Sequence, residues 1–149
     1  MDDLGVDDRR REGYGPVFDA LVLLHRGEPG PALARLPVEA GGPAPSKWIT
    51  WIWLHWYAAL RAEAAVLAAD PDAGRELDAA RTVVAGNPVA SAIVDRAGAL
   101  LAGDRARLLA AGADLAAAGC PYQAARTLVL AGGAEAERGA AALADLGAA

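Results

Sequence analysis

Glu63 is the residue of this sequence whose chemistry most needs an account. At 100° per residue it falls on the same helical face as Trp56 and Ala59. A carboxylate on an apolar face must be paired, protonated or solvated. Two roles follow. Glu63 pairs with an arginine from an adjacent helix, such as Arg81 or Arg96, or it orients a ligand beside the neighbouring tryptophans. Those tryptophans are concentrated: all four in the chain lie in the run KWITWIWLHWYAAL, residues 47–60. On a helical wheel Trp48, Ile49, Ile52, Trp53, Trp56 and Leu60 fall within about 140° of each other. Trp51, Leu54 and Tyr57 fall outside that face and need another neighbour or solvent. Large rings there can fill volume that alanine-rich neighbours leave empty. They can also form a docking face or ligand groove, since exposed tryptophan marks recognition hot spots. The candidate binding residues are Trp51, Trp53, Trp56, Tyr57 and Glu63. Insertion into a membrane surface would need flanking basic residues that the run lacks.

Other reactive side chains are sparse. His25 and His55 are the only histidines, on two separate predicted helices, and two distant imidazoles are too few ligands for a metal. Cys120 sits between a helix-ending glycine and a helix-starting proline, an N-cap position where a small residue fits a tight joint. A helix N-terminus could also lower its pKa and make it a nucleophile. Asp70 and Asp72 flank Pro71 in a turn and read as caps rather than an acid–base couple. No Ser-His-Asp set, HExxH or phosphate loop occurs. The expectation is a protein that binds rather than catalyses, with no cofactor and no metal.

The elements that would position these residues follow from hydrophobic spacing and breakers. Residues 1–13 mix five acids with three arginines and read as a flexible leader. Residues 14–149 then read as one helical-repeat domain. Helices are predicted over 16–26 and 31–36, parted by Gly27-Glu28-Pro29-Gly30, then a loop over 37–45. Ser46 caps the longest predicted helix, 47–69. Further helices are predicted over 73–85, from Pro88 to a Gly103-Asp104 stop, over 105–118, over 122–131 and over 135–146.

The breakers recur. Gly86-Asn87-Pro88 and Gly119-Cys120-Pro121 are 33 residues apart, and the turns at Asp70 and Asp104 are 34 apart. A period near 34 residues with a turn at its middle is the signature of tetratricopeptide-like helix hairpins. The predicted fold is therefore all-α, an α-solenoid of about four antiparallel hairpins stacked side by side.

Composition narrows the partners. Apolar residues make up 54% of the chain and aromatics only 5%, which favours alanine- and leucine-rich helices over sheet. A net charge of -5 and a single lysine, Lys47, argue against direct nucleic-acid binding. One cysteine excludes an internal disulfide. The longest uncharged central run, residues 48–60, is too short for the roughly 20 residues of a bilayer span. The cytoplasm is the expected compartment.

Three segments carry a resemblance. LRAEAAVLAADPDAG (60–74), GNPVASAIVDRAGALLAGDRARLLAA (86–111) and GCPYQAARTLVLAGG (119–133) resemble the C-terminal helical region of large actinobacterial LuxR-family transcriptional regulators. In that family an ATP-binding domain precedes tetratricopeptide-like repeats and a terminal DNA-binding helix-turn-helix. No G-x-x-x-x-G-K-[ST] loop is present, and the sequence ends at Leu146-Gly147-Ala148-Ala149, where the family continues into DNA-reading helices. The resemblance therefore implies neither ATP hydrolysis nor DNA binding. It implies the sensor or interaction module, free-standing or a remnant, with a protein partner, self-association or a small-molecule effector.

Overall fold

The computed structural model describes residues 15–37 and 48–148, with residues 48–52 described by backbone alone. The proposed leader, the Ser46 cap and the side chains of Trp48 and Trp51 lie outside the described residues. Among those described the chain is helical throughout, with no strand. The helices are α1 (Gly15–His25), α2 (Pro29–Arg35), α3 (Trp48–Leu67) and α4 (Ala73–Val83), then α5 (Pro88–Ala102), α6 (Arg105–Ala117), α7 (Pro121–Ala131) and α8 (Gly133–Asp145).

One stop device ends five of these helices. A left-handed residue follows the helix, and the next N–H bonds back to the carbonyl five residues earlier. The pairs are Glu28 to Leu23, Asp70 to Ala65, Asp104 to Ala99, Cys120 to Leu115 and Ala148 to Leu143. The left-handed position is glycine four times, at 27, 103, 119 and 147, because glycine has no Cβ to clash there. At the fifth it is Ala69, with φ 52°. Starts are as regular. Asn87 accepts from the Ala90 N–H, and Asp104 accepts from the Arg107 N–H, both at 3.0 Å. Proline occupies the first turn of α2, α5 and α7. This explains two misplaced breakers: Pro29 and Gly30 open α2, and Pro121 opens α7, rather than preceding them; Gly133 likewise opens α8.

Helices joined by short turns pack together: α1 on α2, α3 on α4, α5 on α6 and α7 on α8. Across pairs, α3 packs on α1, α2 and α5, α4 on α5, and α6 on α7. Two apolar clusters result, with α3 shared between them. One face of α3 gives Ala59 and Ala62 to a core with Leu77, Val84, Ile93, Ala97 and Leu115. The other gives Leu60 and Ala64 to a core with Val17, Ala20, Leu24, Ala32 and Leu36. Alanine at the contact positions lets backbones come close. Helices α7 and α8 approach closely at Gly139, where an added Cβ would stand 2.6 Å from the Ala125 carbonyl oxygen.

Arginines tie the pairs at their rims. Arg61 on α3 grips Glu76 on α4 at 2.9 and 3.0 Å and donates to the Leu36 carbonyl that ends α2. Arg105 on α6 likewise bonds the Ala131 carbonyl at the end of α7 and Glu135 on α8.

Candidate functional site

Glu63 stands between the two apolar faces of α3 and has no exposed surface. Two guanidiniums reach it. Arg96, from the buried face of α5, places Nη2 3.0 Å from Oε2 and Nε 2.8 Å from Oε1. The Nε contact is an ion pair without a well-aligned hydrogen bond. Arg126, from α7, donates through Nη1 to both oxygens, at 3.0 and 2.9 Å. Both oxygens of the carboxylate are thus engaged.

The remaining donors of Arg96 find partners on α7. Its Nη1 donates to the Gln123 carbonyl at 3.1 Å and to the Thr127 hydroxyl at 3.0 Å, and its Nη2 to the Gln123 side-chain oxygen at 2.8 Å. The Thr127 hydroxyl in turn donates a hydrogen bond to the Gln123 carbonyl at 2.8 Å. From the opposite side, Arg126 Nη2 meets the Leu24 carbonyl of α1 at 3.4 Å. Beside it the Tyr122 hydroxyl and His25 Nδ1 are 3.0 Å apart, a second link between α7 and α1. Helices α1, α3, α5 and α7 therefore converge on one buried carboxylate.

Electrostatics explains why Glu63 is charged there. Burial alone would raise its carboxyl, but the fields and hydrogen bonds of Arg96 and Arg126 outweigh it and hold the group below its ordinary value of 4.5. Arg96 is pulled down by burial and by the like charge of Arg126, against the pull of Glu63. Burial likewise raises the Tyr122 phenol, while Arg126 and Arg96 oppose that rise. Deep burial of charge is costly, and only complete pairing with good geometry compensates it.

No protein-family model, curated protein or solved structure matches this chain.

The other candidates are placed as follows. Trp53, Trp56 and Tyr57 are half-buried against the cluster formed with α1 and α2. Trp53 meets the Phe18 ring edge-on, centroids 5.4 Å apart. Tyr57, off the expected apolar face, donates to the Pro37 carbonyl at 2.6 Å, so with Arg61 one turn later it fixes the end of α2. The Trp51 side chain lies outside the described residues. Of the two arginines expected near Glu63, Arg96 is its partner, whereas Arg81 pairs with Asp78 at 2.7 Å. His55 buries Nδ1 without a partner among the described residues. Cys120 is the N-cap residue of α7 and makes no side-chain capping bond.

Sequence reasoning missed Arg126, Gln123 and Thr127. A signal existed: at spacings of three and one they share one face of α7, a polar stripe on a predicted helix.

Proposed function

We propose that this chain is a non-enzymatic helical-repeat module, stacked in the tetratricopeptide manner, that serves protein interaction or effector sensing in the cytoplasm. The observation that carries this reading is a pair of apolar side chains on α1. Phe18 and Val22, one turn apart, are 46% and 48% exposed, and Phe18 lies against Trp53. Together with Trp53 they form the surface on which a protein partner or second copy would dock. The side chains of the buried Glu63 cluster, by contrast, are engaged with one another, which suits a scaffold. The regulatory half of the reading, a sensor region like that of LuxR-family transcription regulators, is supported by segments 60–74, 86–111 and 119–133 alone. A Trp-rich small-molecule groove using Tyr57 and Glu63 has less support, because Pro37 takes the Tyr57 hydroxyl and two arginines take both Glu63 oxygens.

A photo-crosslinking residue placed at Val22, and separately at exposed Ala116 on α6, tests this in the source cells. The expected result is one discrete adduct from position 22 and none from position 116. Equal or absent adducts at both would overturn the docking surface.

A further inference from the structure

The buried cluster is unbalanced. It holds one carboxylate, Glu63, against two guanidiniums, Arg96 and Arg126, an excess of one positive charge. Arg96 is fully enclosed and spends its donors on Glu63, Gln123 and Thr127. The excess therefore falls to Arg126, whose Nη2 has, among the described residues, the Leu24 carbonyl at 3.4 Å as its one hydrogen-bond partner. That carbonyl is already shared, accepting from the Gly27 N–H at 3.3 Å. A neutral, shared oxygen at that distance is a weak substitute for an anion, whereas a carboxylate makes shorter and roughly twice stronger bonds to a guanidinium. Arg126 itself is buried, but beside Leu24 the half-buried Tyr122 meets the exposed His25 at the end of α1.

We propose that the end of α1 covers an anion site formed by Arg126, Tyr122 and His25, and that its ligand is the carboxylate of a small metabolite. The carboxylate oxygen takes the place of the Leu24 carbonyl on Arg126 Nη2. The Tyr122 hydroxyl turns from His25 Nδ1 to donate to the ligand. One negative charge neutralises the cluster, which selects a monoanion over a dianion. Guanidinium planarity favours the flat two-oxygen carboxylate over tetrahedral phosphate at equal charge. Binding displaces the last turn of α1, the helix that carries Phe18 and Val22, so occupancy is transmitted to the docking surface. This inference deepens the effector-sensing half of the proposed function and rests on it.

Calorimetric titration of the full chain with acetate, with phosphate and with chloride tests it. Acetate is expected to bind saturably at one site. Tyr122→Phe, which removes one charge-assisted hydrogen bond at a part-exposed position, should weaken acetate about ten-fold. Arg138→Gln, on the far rim of α8, should change nothing. The inference is overturned if no anion binds saturably, if phosphate or chloride binds as tightly as acetate, or if Tyr122→Phe binds acetate like the parent. Crosslinking at position 22 is read without added acetate and calorimetry without a partner, so loss of the anion site would leave the docking surface standing, and the reverse.

Discussion

At the scale of single residues, Glu63 governs the interior. Replacing it with glutamine leaves two guanidiniums buried without a counter-charge. Breaking a buried pair in this way costs about 3–5 kcal/mol, so Glu63→Gln should lower urea stability by that order. Acid should act through the same group. The folded carboxyl lies below its ordinary value of 4.5, so its contribution is complete above that value and lost as pH falls through the folded one. Glu135 shifts the same way, through a hydrogen bond from its own backbone and the nearby Arg105 and Arg138. Urea midpoints of the parent should therefore fall below pH 4.5, and those of Glu63→Gln should fall less. A variant as stable as the parent at neutral pH would contradict this account.

At the scale of elements, the repeated helix stop makes two opposite forecasts. Ala69 holds a left-handed backbone that glycine holds at the four equivalent joints. Relief of that strain exceeds glycine's entropic cost, so Ala69→Gly should stabilise by about 0.5–1 kcal/mol, visible as a higher melting temperature. Gly139 is the reverse case. A methyl there would meet the Ala125 carbonyl oxygen and the Val129 nitrogen at 2.6 and 2.7 Å, both backbone atoms that cannot rotate aside. Gly139→Ala should cost about 2–3 kcal/mol by pushing α8 off α7. Denaturant titration of each variant distinguishes these outcomes by sign.

At the scale of the whole molecule, the cluster joins helices remote in sequence. Leu24 and Arg126 meet across 102 positions, and His25 and Tyr122 across 97. The first helix is thereby fastened to the seventh as well as to its neighbours. Arg126→Met cuts the Leu24 contact yet leaves Glu63 and Arg96 as a balanced pair. The amides of α1 should then exchange about ten-fold faster, with α5 and α6 little changed, when followed by hydrogen exchange. Uniform acceleration of every helix would show that Arg126 holds the core rather than the α1–α7 junction.

Much of this was legible in the residues. Alanine and leucine stripes, with Gly, Pro, Asn and Asp between them, are local signals, and helices start and stop on local chemistry. The all-helical class, most helix ends and the need of Glu63 for a partner could therefore be read directly. Arg96, like Arg81, could be named because it lies on a helix close in sequence to α3. Which second arginine completes the cluster depends on how tightly the helices curl around α3, and that is a property of packed faces rather than of any local run. Pairing across about a hundred positions leaves no mark on spacing. Only the tertiary structure decided that α1 returns to α7, because that contact is set by the summed geometry of every joint between them.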